Sequence, residues 1–154
     1  MSQPHNQRRQ ALKLLGVALF GTSFCGAAWA QVSAAGMDRA FAAASLRKVL
    51  DALNATPLPG SELGLVVPER VENGAVVPVE ITSRYTGPQD IFIISEANPF
   101  PLVARFSIPA GTEPFISTRI KVAQSCNIYA VVKTGDAFYA VSQPTQVTIG
   151  GCGA

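Results

Sequence analysis

Whatever nucleophilic or redox chemistry this 154-residue chain could perform rests on three cysteines and one histidine. Cys152 is the most distinctive of them, set in Gly150-Gly151-Cys152-Gly153-Ala154. Cysteine is usually buried or bridged, whereas residues near a chain end usually fray. Glycine loses more conformational entropy on ordering than any other residue, so residues 150–154 are expected to form a mobile arm. Fully extended, the stretch from Ile149 to Cys152 spans roughly 10 Å, at about 3.3–3.6 Å per residue. That is long enough to carry a small reactive group into another protein's pocket. Glycines 150, 151 and 153, having no Cβ, would let such an arm pass through a narrow channel.

The arm carries nothing that would activate its thiol. An ordinary cysteine, with a pKa of about 8.5, is only a few per cent thiolate near neutral pH. Helix N-termini, cations and histidines lower that value, and none lies in the tail sequence. The Ala154 carboxylate, two residues away, disfavours the thiolate. Cys152 is therefore expected to be a poor catalyst and a serviceable attachment point. Cys126, after Ala123-Gln124-Ser125, shares strand parity with Ile128, Ala130 and Val132. It reads either as a small buried apolar side chain or as a partner for a bridge to Cys152 in an oxidising compartment.

Residues 1–30 have the layout of a cleaved export signal: a polar start, an arginine pair, an apolar run and small residues. The run from Leu14 to Ala30 is too short and too rich in Gly, Ser and Thr for a membrane anchor. Gln7-Arg8-Arg9-Gln10-Ala11-Leu12-Lys13 resembles the twin-arginine export motif, and Ala28-Trp29-Ala30 supplies an A-x-A cleavage site. Phe24 stands where processing of a lipoprotein at Cys25 would need a small residue. The expected compartment is the periplasm.

Cleavage after Ala30 removes Arg8, Arg9 and Lys13, leaving nine basic against ten acidic residues, a net charge of −1 in place of +2. That balance gives no reason to expect a nucleic-acid or anionic-membrane partner. It also removes His5, the only histidine, and with it Cys-His or Ser-His-Asp catalysis. Two remaining cysteines cannot build a structural zinc site, and no phosphate-binding glycine loop or cofactor motif is present. The remainder, roughly 124 residues, is enough for one proper core.

The elements that must position Cys152 fall into two parts. Residues 31–60 read as one helix, about Asp38 to Ala55, and a linker. Ala42, Leu46, Val49, Leu50 and Leu53 form an apolar stripe at helical spacing, with Phe41 off it. Asn54 and Thr56-Pro57-Leu58-Pro59-Gly60 end the helix, which is expected to pack on the main domain. Residues 61–149 read as strands: Leu63–Val67, Val76–Ser83, Asp90–Ser95, Leu102–Ile108, Phe115–Ala123, Asn127–Thr134, Ala137–Ser142 and Thr145–Ile149. Ile116, Ile120 and Val122 alternate onto an inward face. Glu72-Asn73-Gly74 and Lys133-Thr134-Gly135-Asp136 look like hairpin turns. Short strands with turns every 8–12 residues predict a mainly β fold, an antiparallel immunoglobulin-like β-sandwich preceded by one N-terminal α-helix.

Four segments carry a resemblance. They are Glu72-Asn73-Gly74-Ala75-Val76-Val77-Pro78-Val79-Glu80-Ile81, Ala97-Asn98-Pro99-Phe100-Pro101-Leu102-Val103-Ala104-Arg105-Phe106, Thr118-Arg119-Ile120-Lys121-Val122-Ala123 and Val147-Thr148-Ile149-Gly150-Gly151-Cys152-Gly153. Together they resemble SoxY, the sulfur-carrier family of the periplasmic thiosulfate-oxidising (Sox) system. Where the family tail usually ends in a further glycine, this chain has Ala154.

The resemblance implies a carrier and not an enzyme. Cys152 would be the covalent attachment point and Gly150, Gly151 and Gly153 the arm. It implies a c-type haem enzyme that couples thiosulfate to the cysteine, giving a cysteine S-thiosulfonate. A hydrolase that releases sulfate and a sulfane dehydrogenase would act next. It also implies a heterodimer with a SoxZ-type subunit. The alternative, on the residues alone, is an exported immunoglobulin-like binding module whose tail cysteine forms an intermolecular disulfide.

Asn98-Pro99-Phe100-Pro101 reads as a rigid loop at a sheet end, structural in the first instance and a partner contact in the second. Arg105, Arg119 and Lys121 read as solvated strand charges, and Tyr85, Tyr129 and Tyr139 as core or interface residues.

Overall fold

The structure, a computed structural model, describes residues 33–148. Two short helices come first, α1 (Ala34–Phe41) and α2 (Leu46–Leu53). Nine strands follow: β1 (Leu58–Pro59), β2 (Leu63–Val66), β3 (Arg70–Val71), β4 (Val77–Ser83), β5 (Gln89–Ser95), β6 (Leu102–Ile108), β7 (Phe115–Ile120), β8 (Cys126–Thr134) and β9 (Ala137–Val147). They form two sheets. The larger has the order β1-β9-β8-β5-β6, with β3 also on β9, and the smaller β2-β4-β7. This is the expected mainly β sandwich.

Strand pattern explains the layering. In β4, Val77, Val79, Ile81 and Ser83 are buried while Pro78, Glu80 and Thr82 are exposed, the alternation of a sheet with one wet face. In β5 both faces are buried. Ile91 and Ile93 join Val79, Ile81, Ile116, Ile128 and Val132 between the sheets. Phe92 and Ile94 face the other way and pack with Met37, Ala40, Val49, Leu53, Val131 and Phe138. Each of the larger of these side chains (Val, Leu, Ile, Phe, Met), taken from water, stabilises the fold by about 1.5–3 kcal/mol. The helices thus cover the outer face of the large sheet, as expected, and Phe41 is exposed.

The single expected helix is two. Ala42 closes the first, and Ser45 opens the second, its hydroxyl accepting from Lys48 N at 3.4 Å. Serine at that position supplies a side-chain acceptor for a helix N–H, which alanine cannot. Asn54 ends α2 as foreseen, in a left-handed conformation at φ 52° that asparagine tolerates better than most residues.

Three strand expectations also change. The last two expected strands are one, since β9 runs unbroken from Ala137 through Pro144 to Val147. The stretch read as a linker contributes β1, which pairs in parallel with Tyr139 and Ala140. Glu72-Asn73-Gly74 does not close a hairpin. The strand before it, β3, pairs in parallel with Gln146 and Val147 of β9, while β4 begins in the other sheet. The β8–β9 turn is a hairpin as expected: Thr134 pairs with Ala137 and Gly135 takes φ 58°. No helix among the described residues is long and apolar enough to cross a membrane.

Candidate functional site

Cys152 and the arm residues Gly150, Gly151 and Gly153 lie outside the described residues. What the structure gives is the place from which they depart. The segment from Leu58 to Val71 runs along the edge of β9 left open by β8. Gly60 N donates to Ala140 O at 2.9 Å, Val67 N to the Gln143 side chain at 3.1 Å, and Gln146 N to Glu69 O at 2.8 Å. Thr145 Oγ1 donates to Pro68 O at 2.6 Å. Thr148 closes the series, its N and Oγ1 both donating to Val71 O, at 2.9 and 3.2 Å. On the opposite edge Ser125 Oγ accepts from Val147 N at 2.9 Å. The chain is therefore bonded on one side up to Thr148, the last described residue, and on the other up to Val147.

The loops at this end are tied to each other. Val122 N donates to Gly74 O at 2.7 Å. The Asn98 side chain spans Lys121 O and Ala123 N, at 2.8 Å each. A Cβ on Gly74 would overlap the Val122 carbonyl and press on Val147 Cγ1 at 3.0 Å, so glycine is required there by close approach.

Cys126 opens β8 and pairs with Thr145. It is half-buried, packs against the inter-sheet core, and has its Sγ 3.6 Å from Ser95 Oγ. It also lines an open groove of about 460 Å³ with Glu96, Ala97, Ser125, Asn127, Pro144, Thr145 and Gln146. Parity turns it towards the core as expected, and one side of it meets solvent; the bridge to Cys152 falls outside the described residues. Nearby Tyr129 has its pKa raised, first by burial and next by the Glu96 carboxylate.

A second recess, of about 370 Å³, lies at the far end of the large sheet, lined by residues including Asp90, Arg105, Ser107 and Lys133. Arg105 is not the solvated charge expected of it. It grips Asp90 with Nε at 3.1 Å and Nη2 at 2.9 and 3.0 Å, and Ser107 Oγ adds a bond at 2.5 Å. Phe92 and Asp90 share a face of β5, so the pairing needed the β5–β6 register to become visible. Arg119 and Lys121 are exposed as expected. Tyr85 and Tyr139 stack with centroids 4.3 Å apart. Ser125 and Ser95 went unremarked in the sequence, where an isolated serine in a turn carries no signal. No group of three His, Cys, Asp or Glu side chains that could hold a metal ion occurs among the described residues.

The model of the family described as sulfur oxidation protein SoxY matches residues 50–152. The chain belongs to the SoxY family. The match starts within α2, takes in the whole sandwich and runs to Cys152. Among solved structures, the chain is similar to the sulfur carrier protein SoxY from Chlorobium limicola f thiosulfatophilum, with 29% identity and a TM-score of 0.62. That likeness covers 72% of this chain and 98% of the other. A superoxide reductase (neelaredoxin) from Ignicoccus hospitalis is matched at 16% identity and a TM-score of 0.45, over 55% of this chain and 79% of the other. No curated protein sequence matches.

Proposed function

We propose that this chain is a periplasmic sulfur-compound carrier that holds thiosulfate-derived intermediates covalently on Cys152 and presents them to the enzymes of thiosulfate oxidation. The observation that carries the reading is the family match running as far as Cys152, beyond a strand that is bonded on both edges up to Val147 and on one edge at Thr148. A firm anchor followed by Ile149-Gly150-Gly151 is what a presented thiol needs. The SoxY carrier from Chlorobium supports the same reading by likeness.

The chemistry places the reactive machinery elsewhere. In loading, the Cys152 thiol and thiosulfate form one S–S bond; the thiol proton leaves and two electrons pass to a c-type haem acceptor of the coupling enzyme. Water then cleaves the terminal S–S bond of the adduct, giving sulfate and a persulfide on Cys152, through a partner hydrolase. A sulfane dehydrogenase oxidises the sulfur that remains. Nothing in this sequence outside Cys152 is asked to do covalent work. A twin-arginine leader would deliver the folded chain, paired with a SoxZ-type subunit, to the periplasm.

The test is the intact mass of the exported protein from cells respiring thiosulfate, with the tail peptide sequenced. Sulfane or thiosulfonate adducts on Cys152 are expected. An unmodified thiol, or a stable disulfide to another protein, would overturn the carrier reading and favour a disulfide-anchored binding module.

A further inference from the structure

The end of the sandwich where β9 finishes also bears on which surface meets the partner enzymes, an inference that rests on the carrier reading. Cys152 is four residues beyond Thr148, so it stays within roughly 13–14 Å of it at about 3.3–3.6 Å per residue. A thiol on so short a lead cannot enter an active site unless the enzyme's surface comes against this end of the sandwich.

That end is rigid and has an apolar projection. Lys121–Ala123 lies at its middle, joined to Gly74 on one side and to Asn98 on the other. Ser125, two residues on, bonds Val147. Phe100 stands in the Asn98 loop between Pro99 and Pro101. The loop is pinned by Ser95 N donating to Pro101 O at 2.8 Å and by Asn98 N donating to Ser95 O at 3.1 Å. Its ring is nevertheless 60% exposed, and Val76, on the other flank of Lys121–Ala123, is 51% exposed. Burying a phenylalanine is favourable, and here the fold leaves most of that gain unused. Glu96, at the start of the Phe100 loop, and Lys121 are exposed as well, so this end of the sandwich offers both the apolar and the charged side chains that a modest protein interface uses.

We propose that Phe100, with Val76 on the other flank of Lys121–Ala123, is the anchor by which the thiosulfate-coupling enzyme that takes up Cys152 docks on this end of the sandwich. The ring fills an apolar depression at the mouth of that enzyme's channel. Because its loop is already fixed, little conformational freedom is lost on docking. The two prolines and the Asn98 bonds are the means of that fixing, which raises the partner-contact reading of this loop above the structural one.

The test measures loading of the full chain by the haem c coupling enzyme and thiosulfate, with carrier concentration varied and Cys152 adducts followed by mass. Phe100→Ser is expected to raise the KM for the carrier about tenfold with kcat unchanged. Val76→Thr should raise it by a smaller factor. Phe115→Ser, 49% exposed but at the opposite end of β7 and β4, should leave it unchanged. Alkylation of Cys152 by iodoacetamide should proceed at one rate in all four proteins, showing an intact fold and a reachable thiol.

An unchanged KM in Phe100→Ser, or an equal rise in Phe115→Ser, would overturn the assignment. So would a concentration-dependent dimer of the parent chain that Phe100→Ser dissolves, which would give the patch to a second copy. If the parent chain itself fails to load, it is the carrier reading that falls, and the docking assignment falls with it.

Discussion

Ser125 and Tyr129 flank the Cys126–Ile128 stretch, and they show two ways a single side chain governs the region where the tail begins. Ser125 supplies the acceptor that Val147 N would otherwise seek in water, a bond worth about 0.5–1.5 kcal/mol net. Tyr129 acts through its proton. Burial, then the Glu96 carboxylate, raises its pKa above the ordinary value of 10.0. The folded chain therefore keeps this proton at a pH where the unfolded chain gives it up. Its contribution is complete below pH ~10 and is lost as pH rises through the folded-state value. Denaturant unfolding between pH 9 and 12 is expected to show stability falling above pH ~10, with a shallower fall in Tyr129→Phe. Equal slopes in the two proteins would remove Tyr129 as the cause.

At the scale of elements, β9 is held by both neighbours, and the turn at Gly74 shows how closely. Adding one methyl there puts it against the Val122 carbonyl, a backbone atom slow to yield, and a methyl of the β-branched Val147 side chain. Gly74→Ala is expected to destabilise the protein by about 1–3 kcal/mol, the usual cost of overpacking, read as a lowered midpoint in urea. An unchanged midpoint would mean that the turn gives way at no cost.

Long elements were legible in the sequence and short pairings were not. Leu102–Ile108 is legible to the residue, and β4, β5 and β8 to within one, because strands of seven to nine residues that use β-branched or aromatic side chains carry enough signal to override local ambiguity. The two-residue strands β1 and β3 have no periodicity to read, and their parallel pairing with β9 exists only once the fold has formed. The helix break at Ala42–Ser45 was hidden by alanine, which favours helix on both sides of it. As for the site, Cys152 declares itself by its glycine neighbours. Its setting does not, since Ser125, Asn98 and Gly74 act by meeting residues distant in sequence.

Taken as a whole, the molecule separates what folds from what is presented. Among the described residues, the two core clusters draw on residues from Met37 to Val147, and the stretch 149–154 that follows is half glycine, which has no side chain to bury. Removing residues 149–154 is accordingly expected to leave the thermal midpoint of the leaderless chain within about 2 °C, since surface changes away from such features usually cost under 0.5 kcal/mol, while abolishing loading with thiosulfate. A large drop in the midpoint would show that the tail is part of the fold.

The ladder around β9 has a mechanical consequence as well. Hydrogen bonds between strands run across the strand direction. A pull applied at Thr148 along β9 therefore strains the bonds to β8, β1 and β3 together, in shear, and cannot peel them open one at a time. An enzyme withdrawing from a tightly gripped cargo would tug on a strand built to bear the load.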